Sequence, residues 1–343
     1  MRKVIMALAM LMSWQCRPGA MAQTDRAAIL RYLTELPQKK SARLISGQFE
    51  SWGLAVKRLD DDGNYPHVVW EKTGKWVGLV GAEYHNGQDV NWEKPNQLFE
   101  EYWRQGGFCQ LYLIMTNPAN PGSFNGGGKC DINLVLDPYH PYHTHFYREL
   151  DKVAAGLAEL QKKGVVVFLN PFAEATADWF WWGGNPTDFI RLYREVHDYL
   201  VKEKQLDNLL FIYEPSCANN TAMQFYPGDG YVDMIGFSLF VDYNKEIDSQ
   251  SIQNYSQLKS LGKPMAISQW GPRRGGDQTG GQDQPPGDNL KLMRGIQKYY
   301  PEIVWWMNWN YAYAIATPDN SNYNARELLD HPWVINRDGI KPR

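Results

Sequence analysis

Cysteine is scarce in this chain, with four residues in 343. Cys16 falls in the leader described below. The other three, Cys109, Cys130 and Cys217, exclude a disulfide framework and allow one bridge at most, for which Cys109–Cys130, closing a Gly-rich loop, is the expected pair. No Cys or His pair has the spacing of a metal site, so no metal is expected. Charge of one sign is lacking as well. The net charge of -3 comes from well-mixed signs without a basic stripe, which excludes a nucleic-acid partner. Beyond the N-terminus no stretch reaches the ~20 apolar residues of a membrane helix. Nothing in the sequence sets an oligomeric state.

The N-terminus itself reads as an export signal over residues 1–22: basic Arg2 and Lys3, an apolar run Val4–Met12, then Ala20-Met21-Ala22 before Gln23. Cleavage is expected after Ala22, giving a soluble secreted or periplasmic protein. Lipid attachment at Cys16 is disfavoured, because Trp14-Gln15 stand where small residues are needed. The mature part, residues 23–343, suits one large α/β barrel or two ordinary domains by length alone.

Aromatics, in contrast, are abundant: 14 Trp and 20 Tyr, many of them clustered. Sugar rings present flat C–H faces that stack on aromatic planes, so a sugar-binding cleft collects such residues. A large aromatic core is the competing explanation for any single one.

Hydrophobic runs and breakers alternate along the chain. After a helix at Asp25–Leu36, strands are predicted at Arg43–Phe49, Trp76–Tyr84, Phe108–Met115, Val165–Phe172, Asn208–Tyr213, Val232–Phe240, Pro264–Trp270 and Ile303–Asn308. Most are short continuous apolar runs, as parallel strands covered on both faces require. Helical patterns lie between them at Asn96–Gln105, Thr144–Lys163, Thr187–Lys204, Gln250–Leu261, Asp288–Tyr300 and Ala325–Leu329. Eight strand-then-helix units predict a single-domain (β/α)8 TIM barrel. A doubly wound sheet would need a Gly-rich phosphate loop after its first strand, and Phe49-Glu50-Ser51-Trp52-Gly53 is not one. Long polar loops at Asn117–His140 and Pro272–Gly287 follow strand C-termini, the functional face of such barrels; the second, rich in Gly and Pro, is expected to act as a mobile lid.

The predicted strand ends carry acids, amides and aromatics with few basic groups: Glu50, Glu83 and His85, Asn117, Asn170 and Glu174, Glu214, Asp242, Gln269 and Trp270, and Trp309. That lining suits a neutral, hydroxyl-rich ligand such as a polysaccharide or oligosaccharide, and not a phosphate. Glycoside cleavage needs two carboxylates flanking the scissile bond.

Several stretches, in order, resemble glycoside hydrolase family 26, a group of secreted β-mannanases and related β-glycanases. They are Leu44-Ile45-Ser46-Gly47-Gln48, Asn117-Pro118, Pro171-Phe172-Ala173-Glu174 with Trp179-Phe180-Trp181-Trp182-Gly183-Gly184, Tyr226-Pro227-Gly228-Asp229 with Tyr231–Gly236, and Lys263-Pro264. The resemblance implies that Glu174 is the general acid/base, that Trp179 and Trp182 border sugar subsites, and that no cofactor is used. With these, His85, Asn117, Phe240, Trp270 and Trp309 are the expected substrate-binding residues.

The departures from the family pattern concern the chemistry. Gln269 stands where the family has its nucleophilic glutamate, and an amide cannot form a stable glycosyl ester. Asn170 replaces an arginine, Ala173 a histidine, Phe240 a tyrosine, and Met115-Thr116 a Trp-His pair. Three readings follow. Another acid among Glu83, Glu214 and Asp242 serves as base beside Glu174 in a β-glycan hydrolase; a group on the sugar attacks, oriented by Gln269; or the chain is a non-catalytic carbohydrate-binding pseudoenzyme. A second carboxylate facing Glu174 across the mouth favours the first.

Overall fold

The computed structural model describes residues 18–85, 89–122, 126–242, 245–273, 287–318 and 322–342; for 18–25 and 273 it describes the backbone alone. Among the described residues there are ten strands: β1 (Leu44–Ile45), β2 (Gly47–Trp52), β3 (Leu79–Glu83), β4 (Phe108–Tyr112), β5 (Val167–Asn170), β6 (Leu209–Tyr213), β7 (Met234–Asp242), β8 (Met265–Arg273), β9 (Ile303–Asn308) and β10 (Val334–Ile335). β2 to β9 pair in parallel with their sequence neighbours. Gln48 of β2 registers with Asn308 of β9, which closes the ring into the expected (β/α)8 barrel.

Alternation along the strands divides the apolar side chains into two cores. Phe49, Tyr112, Phe168, Leu210, Ile212, Met234, Ala266, Val304 and Met307 form one cluster, joined by Ile29, Leu33 and Leu36 from the first helix and the turn after it. The intervening residues, such as Leu111, Leu169, Leu209 and Ile267, belong to a larger cluster shared with the outer helices. Both faces of each strand are thus dry, and this is why the strands read as unbroken apolar runs.

The helices are α1 (Pro18–Glu35), α2 (Tyr65–Thr73), α3 (Glu93–Arg104), α4 (Ile132–Val135), α5 (Pro141–Lys162), α6 (Pro186–Asp198), α7 (Tyr255–Lys259), α8 (Asn289–Tyr299) and α9 (Ala325–Leu329). Their starts follow local capping chemistry. Asn185 accepts from the Asp188 amide at 3.1 Å with Pro186 in the first turn, and Asp288 accepts from the Leu290 amide at 3.0 Å.

Several boundaries differ from the sequence reading. The pattern over Gln250–Leu261 yields only the short α7, because the Asp248 side chain binds the Gln250 amide in a local turn and Asn254 adopts φ 58. α6 ends at Asp198 and passes into a π turn over Tyr199–Glu203. α2 lies between the first two predicted strands, in a stretch where no helix is predicted, and α4 within the loop Asn117–His140. The expected Cys109–Cys130 bridge is absent and all three described cysteines are free. Cys109, near the start of β4, donates to the Phe99 carbonyl under α3, whereas Cys130 lies in the loop beyond that strand's other end.

Among the described residues no helix is long and apolar enough to cross a membrane. Residues 1–17 of the expected leader, and the lid segment 274–286, lie outside the described residues.

Candidate active site

Glu174 sits four residues beyond β5 with φ 50, a left-handed backbone that costs a non-glycine residue of order 1 kcal/mol. The surroundings hold it there. Its amide donates to Glu214 Oε1 at 3.2 Å, the next amide, of Ala175, donates to the Glu214 carbonyl at 2.8 Å, and its own carbonyl accepts from the Ala177 amide at 2.7 Å. Its carboxylate is oriented from two sides: Oε1 accepts from Ser238 Oγ at 2.6 Å and Oε2 from Trp179 Nε1 at 2.7 Å. The rotamer is therefore set by groups on two other parts of the chain.

Glu214 follows β6 directly and has no exposed surface. It accepts hydrogen bonds from Ser268 Oγ, from Gln269 Nε2 at 3.1 Å and from the Glu174 amide. Burial pushes its pKa up to about 7; the nearby Glu174 charge pushes the same way, and the Ser268 hydroxyl opposes both. Register pairs Ser238 of β7 with Gln269 of β8, so the ligand of Glu174 and the ligand of Glu214 are neighbours. The Ser268 carbonyl in turn accepts from the Tyr112 hydroxyl. Glu174, Glu214 and Gln269, named separately from the sequence, are thus one connected unit. Ser238, Ser268 and Tyr112 were missed; for Ser238 the available signal was its place two residues before Phe240 on the same strand.

The other two acids stand elsewhere. Glu83 is buried, accepts from the Ile114 amide at 3.0 Å, and lies 3.7 Å from His85, which is itself 3.6 Å from Glu149. Burial drives the Glu83 pKa well up, and the Ile114 amide and His85 are its neighbours. Asp242 ends β7 four residues beyond Ser238. At ~3.3 Å per residue that is about 13 Å further along the strand.

Four expected sugar contacts are corrected by burial. His85 is 2% exposed and part of the Glu83–Glu149 cluster. Asn117 shapes its own loop, donating to the carbonyls of Gly127 and Lys129 and accepting from the Ala119 amide. Trp182 is fully buried, stacks on Phe180 with centroids 4.4 Å apart, and donates to the Ala173 carbonyl at 3.0 Å. It therefore fixes the backbone leading into Glu174. Trp270 is buried, its carbonyl accepting from the Trp309 amide. Phe240 and Trp309 are partly buried. Phe240 meets Tyr313 edge-on, and Trp309 stacks on Phe49 with centroids 3.8 Å apart at 5°.

Trp179 remains half exposed. Of the seven exposed large hydrophobics among the described residues, six (Leu54, Tyr139, Trp179, Met223, Tyr311 and Tyr323) are on loops leaving strand C-termini. Exposed aromatic surface is thus concentrated on the face that holds Glu174, as stacking on sugar rings demands. Among the described residues no group of His, Cys, Asp and Glu has the geometry of a metal site.

Residues 19–339 match glycosyl hydrolase family 26. A mannan endo-1,4-beta-mannosidase of Bacillus subtilis is 27% identical over 337 residues, covering 93% of this chain and 88% of that one. The mannan endo-1,4-beta-mannosidase A and B of Caldalkalibacillus mannanilyticus is 28% identical over 334 residues, covering 91% of this chain and 60% of that one. The structure of a Bacillus subtilis mannanase superposes with a TM-score of 0.78 at 26% identity, covering 92% of each chain.

Proposed function

We propose, from the premise that this chain belongs to glycosyl hydrolase family 26, that it hydrolyses a β-linked polysaccharide of the mannan type outside the cytoplasm. Glu174 protonates the leaving glycosidic oxygen, and Glu214, one strand further on, supplies the second carboxylate that strand eight's Gln269 does not. The observation that carries this reading is the bonding of one acid to the other: the Glu174 amide and Gln269 Nε2 share Glu214 Oε1. Glu214 thus lies buried against the backbone of Glu174 and beside Gln269, which supports its assignment as the second acid. The rim aromatics, Trp179 foremost, supply stacking surface for the glycan.

A specific observation favours a second reading. An amide occupies the nucleophile position, which suits a carbohydrate-binding protein that has lost its chemistry. Reducing-end release by the purified protein from mannan, glucomannan, β-glucan and xylan separates the two. Cleavage of at least one is expected. Binding of a glycan with no cleavage of any would establish the binding protein instead.

A further inference from the structure

We propose that Gln269 is itself a catalytic residue: its amide, locked by Glu214, holds the attacking water and passes the water's proton inward, so that hydrolysis inverts the anomeric centre. The inference rests on the hydrolase reading above and deepens it. Glu214 has no exposed surface, whereas Gln269 keeps 5%. A water in the mouth therefore meets the amide before it meets the acid. Gln269 Nε2 donates to Glu214 Oε1 at 3.1 Å, which leaves Gln269 Oε1 as the amide's accepting atom. Glu214 is itself fixed by Ser268 Oγ and the Glu174 amide, so the relay has few ways to rotate out of line.

In the step, the water oxygen bonds to the anomeric carbon on the face opposite the leaving group. One water proton passes to Gln269 Oε1, an Nε2 proton passes to Glu214, and the amide becomes its imidic-acid tautomer. The bond from the anomeric carbon to the glycosidic oxygen breaks with its electron pair on oxygen, which takes the Glu174 proton. Return of the Glu214 proton to Nε2, and release of the Oε1 proton through solvent to Glu174, restores the site. One water is consumed and no other reactant is needed.

The same contact accounts for an amide at this position. A glutamate here would place a second carboxyl about 3.1 Å from Glu214 in a dry pocket. Two such groups share a proton rather than ionising together. Gln269→Glu is accordingly not expected to create a free nucleophile.

Proton NMR of the first product from a β-linked oligosaccharide decides the matter. The α anomer is expected first. Gln269→Ala should lose kcat by about 100-fold or more with glycan affinity nearly unchanged, and Gln269→Glu should not produce the β anomer. Glu214 acts through Gln269 as a positioning and proton-accepting residue. Wild-type kcat/KM should therefore rise as pH passes about 7, and the residual activity of Glu214→Gln should lose that rise. Release of the β anomer by wild type, or undiminished kcat in Gln269→Ala, would overturn the relay while leaving the Glu174 hydrolase intact. No cleavage by wild type would overturn both.

Discussion

Replacing Glu214 by glutamine is expected to stabilise the protein at alkaline pH and to leave it nearly unchanged at acid pH. The carboxyl has no exposed surface, and burial lifts its pKa from an ordinary 4.5 to about 7. The folded chain thus holds this proton more tightly than the unfolded chain does. Glu214 therefore contributes its full stability below pH 4.5 and loses it as pH rises through about 7. The gap, at about 1.4 kcal/mol per pH unit, comes to about 3 kcal/mol. Glutamine has nearly the same shape and does not titrate, and its oxygen still accepts from Gln269 and the Glu174 amide. Glu50 also carries a pKa raised to about 7 by burial, so the variant keeps some pH dependence of its own. The informative quantity is the difference between the two proteins. Urea unfolding of wild type and Glu214→Gln at pH 4.5 and pH 8.5 measures it. Wild type should lose about 3 kcal/mol more than the variant between the two pH values. Equal losses would refute the placement of a titrating acid beneath Gln269.

Two further substitutions test the aromatic assignments. Trp182→Ala should cost about 3–5 kcal/mol in a denaturant titration, since it empties a fully buried site and frees the Ala173 carbonyl. A surface-like cost below ~1 kcal/mol would show that Trp182 is not core. Trp179→Phe keeps a stacking face but removes the hydrogen bond to Glu174 Oε2. It is expected to lower kcat about tenfold with little change in KM, at roughly 1.4 kcal/mol for one charge-assisted bond. A change confined to KM would make Trp179 a sugar platform alone.

The barrel was legible because its strands are apolar on both faces, and each predicted strand overlaps one that is present. The ends were less so. Asp248 binds the Gln250 amide and Asn254 takes a left-handed backbone, which together cut short a helix that periodicity alone extends from Gln250 to Leu261. In the site, position along the strand identified Glu174, Glu214 and Gln269 but not what joins them, because contacts between adjacent strands depend on register. Ser238 faces Gln269 only through the pairing of β7 with β8. Burial was the other hidden quantity. Trp179 and Trp182 stand in one aromatic run, yet one is half exposed and the other is sealed under Phe180. No feature of residue type distinguishes them. His85 and Asn117 likewise carry polar groups suited to a sugar, but the fold buries the first near Glu83 and Glu149 and turns the second onto the Gly127 loop.

The most direct test of Glu174 as the acid compares wild type with Glu174→Gln on an unactivated β-linked glycan and on an aryl glycoside whose leaving group needs no proton. The substitution preserves shape and the bond from Trp179 while removing the transferable proton. Glycan hydrolysis is expected to fall by about 100-fold or more, the aryl glycoside to be cleaved at close to the wild-type rate, and glycan binding to persist. Equal rates of glycan hydrolysis in the two proteins would contradict the assignment of Glu174 and of the site built around it.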